Sequence, residues 1–219
     1  MPFHRHPASP LQNLLSLAAN IPRLLEKYDA LPEEPASTVI AVAEERLAEF
    51  RKMRASLATW CSTFIAESSA PLYWTRTSDD PKKSGHDLLW FQHLSVANVF
   101  TYLWSFQIIC LSHIQSLLEQ FPCLDGVCTG ALEDAAGRRD VCINLSVKIF
   151  QSMEYLLQPE FMLYGLSSAS FPLFMACNSL ESDERGREIL RGLDRTVIDR
   201  SVIERVGFPS WMSTHVPEK

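Results

Sequence analysis

The chain has 219 residues, 47% of them hydrophobic with 12 Phe and 5 Trp, which excludes an intrinsically disordered chain and predicts one large domain or a helical array. A chain of this length buries roughly 70% of its unfolded surface, so a sizeable core is expected. With 20 Lys and Arg against 26 Asp and Glu, the formal charge of −6 leaves no broad basic surface to neutralise phosphates, which excludes strong DNA binding by charge.

At the start, His4, Arg5 and His6 precede an apolar run over 14–19 that Asn20, Pro22 and Arg23 interrupt too soon for an export signal. The first helix is predicted over about 10–28, with Pro10 in its opening turn and Leu11, Leu14, Leu15, Ala18, Leu24 and Leu25 on its apolar side. Pro22 kinks this helix or divides it. Pro32-Glu33-Glu34-Pro35 breaks the chain before a second helix capped by Ser37 or Thr38.

In that second helix Ala43, Leu47, Phe50, Met53, Leu57, Trp60 and Phe64 follow one another at steps of three or four residues, forming a single stripe. Such a stripe demands a helical partner, either a second chain in a coiled coil or other helices of the same chain. Segment 67–87 holds Pro71, Pro81, Gly85 and Lys82-Lys83 around one apolar anchor, Leu72-Tyr73-Trp74, and reads as a long exposed loop.

A third helix over about 88–120 is apolar almost all round, with Phe91, Phe100, Tyr102, Trp104, Phe106 and Ile108 among its residues, and is expected at the centre of the bundle. It approaches membrane-spanning length, but Asn98, Thr101, Gln107, His113 and Gln115 make it a buried core helix rather than a span. A fourth helix is predicted over about 131–157, after a turn between Gly126 and Gly130. Gln158-Pro159-Glu160 stops it, because proline lacks the N–H and disfavours helix in the residue before it. A short helix is expected after Pro172. Ser182-Asp183-Glu184 caps a last helix ending near Val206, with Leu190, Leu193, Val197 and Ile198 on its buried side. No strand-period segment of convincing length appears, so the predicted class is all-α, a single multi-helix bundle or helical array over 1–219.

Candidate chemistry is sparse. Cys110 and His113 stand three apart on one helix face, and His93 invites a similar metal reading; a buried thiol and an imidazole satisfied by a backbone carbonyl is the simpler account. Cys123 and Cys128 have a spacing that matches no common zinc pattern, and the six cysteines as a set suit a reduced, intracellular protein. Asp134, Asp140, Glu154 and Glu160 form no paired acid motif, Trp60, Trp90 and Trp104 read as core rather than a ligand cage, and the basic pairs Arg51-Lys52 with Arg54 and Arg138-Arg139 read as solvated faces. The eight glycines compose no phosphate-binding loop or nucleophile elbow. No catalytic, cofactor-binding or metal-binding residue is assigned.

The stretch 141–175 carries the most specific pattern: an amphipathic helix through Gln151-Ser152, then Tyr155-Leu156-Leu157, the breaker Gln158-Pro159-Glu160, Gly165 and Phe171-Pro172-Leu173. This pattern resembles the C-terminal regulatory region of fungal zinc-cluster transcription factors, with weaker echoes in Ile21-Pro22-Arg23-Leu24-Leu25 and the aromatic helix over 99–118. The chain holds no six-cysteine zinc-cluster module, since its first cysteine is Cys61, so the family's DNA-binding residues map onto nothing here. The resemblance implies a regulatory domain in the nucleus that acts through protein contacts, with a full-length zinc-cluster factor as partner, in the setting of secondary-metabolite gene clusters. An accessory helical enzyme of a biosynthetic pathway is the alternative.

Overall fold

Helix α4 (Leu94–Gln120) organises the molecule, and it does so because it has almost no polar side to offer water: sixteen of its residues are buried, from Val96 to Leu118. The computed structural model describes residues 7–32, 37–77, 87–127, 134–182 and 184–194. Around α4 are α1 (Pro10–Ala18), α2 (Ile21–Asp29), α3 (Ser37–Ala66), α5 (Ala135–Gln151), the single turn α6 (Met153–Leu156), α7 (Met162–Glu181) and α8 (Glu184–Asp194). Short 3-10 turns, Pro122–Val127 and Pro159–Phe161, lie before α5 and α7. The predominantly helical class is as the periodicity predicts.

Ring contacts give the directions. Phe50 stacks on His113 and Phe64 packs against Phe100, so α3 runs antiparallel to α4. Arg138 bonds Gln115 while Lys148 lies over Trp104, so α5 is antiparallel as well. Tyr102 and Phe106 both meet Phe171 at centroid distances of 5.5 and 5.9 Å, docking α7 on α4.

The stripe on α3 is consumed inside the chain. Ala43, Leu47, Phe50, Met53 and Leu57 are buried, and Trp60 and Phe64 pack against the core. Of the two partners the sequence allows for this stripe, helices of the same chain provide the one observed. The face is therefore not a free association surface.

The first helix is divided in two rather than kinked: α1 ends at Ala18 and α2 opens at Ile21 with Pro22 in its first turn, where a missing N–H costs nothing. Ser9 caps α1 reciprocally with Gln12, its Oγ accepting from Gln12 N at 3.2 Å while Gln12 Oε1 accepts from Ser9 N at 2.8 Å. Lys27 of α2 donates to Glu49 of α3 at 2.7 Å, and Arg46 pairs with both Glu49 and Glu45, which ties α2 to α3.

Three expectations are corrected. First, the exposed loop contains a strand, and the predicted start of the third helix is another: β1 (Tyr73–Thr77) and β2 (Asp87–Phe91) form an antiparallel ribbon with Tyr73 opposite Phe91 and Trp74 opposite Trp90. Leu88, Leu89 and Phe91 are buried, so the ribbon covers the end of the bundle that the helices leave open. Aromatic residues and Thr on β1 suit a pleated, half-buried surface, and that preference is expressed only because α4 supplies something to cover.

Second, α7 is a 20-residue helix with Pro172 inside it, not a short helix begun by that proline. An interior proline costs about 3 kcal/mol or more. Burial of Gly165, Ala169, Leu173, Ala176, Cys177 and Leu180 along the same face offsets that cost, and the small residues let α7 approach α4 and α5 closely. Third, the fourth helix begins at Ala135, capped by Asp134, and ends at Gln151, where Ser152 interrupts it before α6. For the last helix, Leu190 is partly buried and Leu193 falls within α8, while Val197, Ile198 and the end near Val206 lie outside what is described, as does most of the Gly126 to Gly130 turn.

The ion-pair node at Glu49 makes stability pH-dependent. Burial pushes this carboxyl up, but the Lys27 hydrogen bond with the charges of Arg46 and Lys27 outweighs it and holds Glu49 below the usual range. A carboxyl lowered on folding stabilises the native state above its unfolded value of about 4.3, and that contribution disappears as pH falls through the folded value. Glu49→Gln should therefore melt at lower temperature than the wild type near neutral pH, and the two thermal midpoints should converge below about pH 4. A constant gap across that range would show that the carboxylate charge is not what joins α2 to α3.

Candidate functional site

The segment 151–173 combines a local interruption with a close helix contact. Ser152 donates its Oγ to the Lys148 carbonyl at 2.7 Å as α5 ends, and α6 follows for one turn with Met153, Tyr155 and Leu156 buried. The Tyr155 ring meets Trp90, Phe91 and Phe161 at 5.3 to 5.6 Å and is buried among them. Gln158 then takes an extended conformation, as a residue before proline must, and Pro159–Phe161 makes the corner.

Gly165 is required by packing. A Cβ there would lie 2.0 Å from the Leu156 carbonyl oxygen, so only glycine lets the first turn of α7 lie against the end of α6. At the same corner Met162 has φ 48°, a conformation that side chains other than glycine rarely adopt. The corner leaves Met162, Leu163 and Tyr164 81%, 74% and 65% exposed, an apolar triplet standing out of the bundle.

A polar cleft of about 180 Å³ lies between α4, α5 and α7, lined by Ser112, Gln115 and Glu119, by Arg138 and Arg139, and by Ser179 among others. Arg138 is only 4% exposed, and its Nε donates to Gln115 Oε1 at 2.9 Å; Gln115 Nε2 in turn donates to Glu119 at 2.6 Å. The reading of Arg138 as a solvated residue is thus corrected: its aliphatic stem is enclosed by the helices and its guanidinium is bonded to a neighbouring amide. Ser182 Oγ donates to the Ser179 carbonyl at 2.7 Å. These bonds order the ends of the helices.

The residues singled out from the sequence are dispersed. His113 Nδ1 is 2.8 Å from the Ile109 carbonyl oxygen, and its ring stacks on Phe50 and meets Tyr28 edge-on, so it is a core imidazole of the expected simple kind. Cys110 beside it is fully buried, and that burial pushes its thiol up to about 12 against the opposing charge of Arg54. His93 is exposed at the start of α4. Asp134 caps α5 by accepting from Gly137 N at 2.8 Å, Asp140 pairs with Arg185 of α8, Glu154 is half-buried, and Glu160 is exposed.

Cys123 is exposed, and Cys128 lies outside the described residues. Among the described residues no three His, Cys, Asp or Glu side chains converge on a point that suits a metal ion. Trp60 stacks on Phe64, Trp90 meets Tyr155, and Trp104 meets Phe100 and Tyr73, placing all three in one mesh of rings rather than around a cavity. In the sequence the exposed triplet leaves only one trace, a run of apolar residues shortly after Pro159.

Comparison of the chain with protein-family models, curated proteins and solved structures finds no match.

Two outcomes are expected of this region. Gly165→Ala should destabilise the protein by about 1–3 kcal/mol in chemical denaturation, because the obstacle is a backbone carbonyl that cannot rotate away, whereas Ser167→Ala on the exposed side should be nearly neutral. Under native conditions a thiol-alkylating reagent followed by peptide mass spectrometry should label Cys123 early and leave Cys110 unmodified until the chain unfolds. Early modification of Cys110 would mean that the α3–α4 interface opens.

Proposed function

We propose that the chain is a transcription-factor-like regulatory domain that works in the nucleus through protein contacts, with a full-length zinc-cluster factor as its partner, in the control of a secondary-metabolite gene cluster. The observation that carries this reading is the exposed triplet Met162, Leu163 and Tyr164, held outward by the same corner that bears the family-like pattern. Large apolar side chains at such exposure, next to one another, are a feature of contact surfaces rather than of catalytic ones. The all-α fold and the sequence pattern over 151–173 support it. With a net charge of −6 and no zinc-cluster module in this chain, base recognition is left to the partner.

Co-expression with full-length zinc-cluster factors of the same genome should give a complex of defined stoichiometry in size-exclusion chromatography. Leu163→Asp combined with Tyr164→Asp should abolish that complex without moving the thermal midpoint, since both side chains lie outside the core. In mobility-shift assays near physiological salt, the chain alone should give no discrete band. Recovery of the chain alone in every co-expression, a complex indifferent to both substitutions, or specific DNA binding by the isolated chain overturns the reading.

A further inference from the structure

Helix α7 carries no charged residue from Phe161 to Leu180, a composition that suits a helix covered on every side, yet one side of it faces outward. Gly165, Ala169, Pro172, Leu173, Ala176 and Leu180 are buried against the bundle. On the opposite side Leu163, Ser167, Ser170 and Phe174 succeed one another at steps of four, three and four residues, which sets them in a line along the helix. Leu163, Ser167 and Phe174 are exposed and Ser170 is half-buried. Tyr164 and the half-buried Phe171 flank the line, and Phe171 carries the apolar surface on to Tyr102 and Phe106 of α4. Among the described residues, the other large exposed apolar side chains, Leu15, Val42, Ile65 and Trp74, are scattered over α1, α3 and β1.

The line on α7 reads the same in both directions. Leu163 lies four residues before Ser167 and Phe174 four residues after Ser170, so a second α7 laid antiparallel across the first sets Leu163 of each copy against Phe174 of the other, with Ser167 against Ser170 at the centre. A two-fold pair requires this self-complementarity, because one patch serves on both sides of the contact. Small serines at the crossing let two helix backbones approach closely, and Ser170 Oγ already donates to the Leu166 carbonyl at 3.0 Å, so its hydroxyl enters the contact with its donor used. Charge selects the same occupant. Each copy carries a net −6, so two copies repel where acidic surfaces meet, and a helix face without charge is where they approach free of that penalty.

We propose that the outward face of α7 is the two-fold interface of a homodimer, with Leu163 of each chain packed on Phe174 of the other. A single helix pair sits at the small end of stable interfaces, which begin at about 1,200 Å² of buried surface, so the dimer is reversible and dissociates on dilution. The inference stands without the zinc-cluster partner proposed above. A copy seated on α7 covers Leu163 and Tyr164, so the two occupants compete for one face.

The test is sedimentation velocity of the full chain from micromolar to millimolar concentration with no other protein present, so its outcome is independent of the zinc-cluster reading. The wild type should pass reversibly from the 24.8 kDa monomer to a dimer as concentration rises. Ser167→Trp and Phe174→Asp should each weaken association at least tenfold with the circular dichroism unchanged, while Ile65→Asp, at an exposed position of α3, should leave it as it is. For the register, chains carrying Leu163→Cys and Phe174→Cys are mixed and oxidised with copper phenanthroline, and peptide mass spectrometry should find position 163 of one chain joined to position 174 of the other. The proposal fails if the wild type stays monomeric throughout, if the dimer of the folded Ser167→Trp chain forms like that of the wild type, or if position 163 joins its own counterpart in preference to position 174.

Discussion

The architecture depends on one constraint: α4 is apolar around almost its whole circumference, so every side of it must be covered. Each large apolar side chain removed from water contributes about 1.5–3 kcal/mol, and α4 carries more of these than any neighbour could cover alone. Helices α1, α3, α5 and α7 take the sides, with α3 and α5 antiparallel to it and a groove between them. The end near Phe100 is closed by the β1–β2 ribbon. Tyr73 packs edge-on to Phe100 at 4.8 Å, and Phe91 bridges Phe100 to Tyr155, so the ribbon, α4 and the α6 corner share one aromatic mesh. A two-stranded ribbon is marginal in isolation, and here the mesh supplies its stability.

That dependence explains what the sequence does and does not disclose. The α3 stripe from Ala43 to Phe64 is legible because one periodicity serves both local helix and tertiary packing. Whether such a stripe meets a second chain or its own is not a local property, and the answer lies in the four other apolar segments that compete for it. Leu88 to Phe91 is a short unbroken apolar run, equally readable as buried strand or as the first turn of the helix that follows; only pairing with Tyr73 to Thr77 decides it. Pro172 misleads for the opposite reason. Its local preference for ending a helix is real, but it sits on the buried face of α7, between Ala169 and Leu173 on one side and Ala176 on the other, where tertiary burial outweighs it. The aromatic residues and the half-buried His113 were legible as core; the exposed triplet depends on three-dimensional juxtaposition that no spacing encodes.

The corner at 158–165 shows how the bundle tolerates local strain. Met162 at φ 48° costs about 1–3 kcal/mol, and the conformation persists only because its surroundings over-determine it. Tyr155 is fixed by Trp90 and Phe91, Pro159 fixes the direction of exit, and Gly165 seats α7 against the Leu156 carbonyl. Two anchored ends with a tight chain between them leave Met162 no relaxed alternative. The same closure that strains its backbone turns Met162, Leu163 and Tyr164 outward, so their exposure follows from how the corner closes.

Charge is segregated along α3 in a way that matters for stability. Its first half holds Glu44, Glu45 and Glu49, of which Glu45 and Glu49 pair with Arg46 and Glu49 also with Lys27 of α2. Farther along, Arg51, Lys52 and Arg54 follow in close succession. Like charges at such spacing cost about 0.2–0.5 kcal/mol per pair, too little to disturb a fold held by α4.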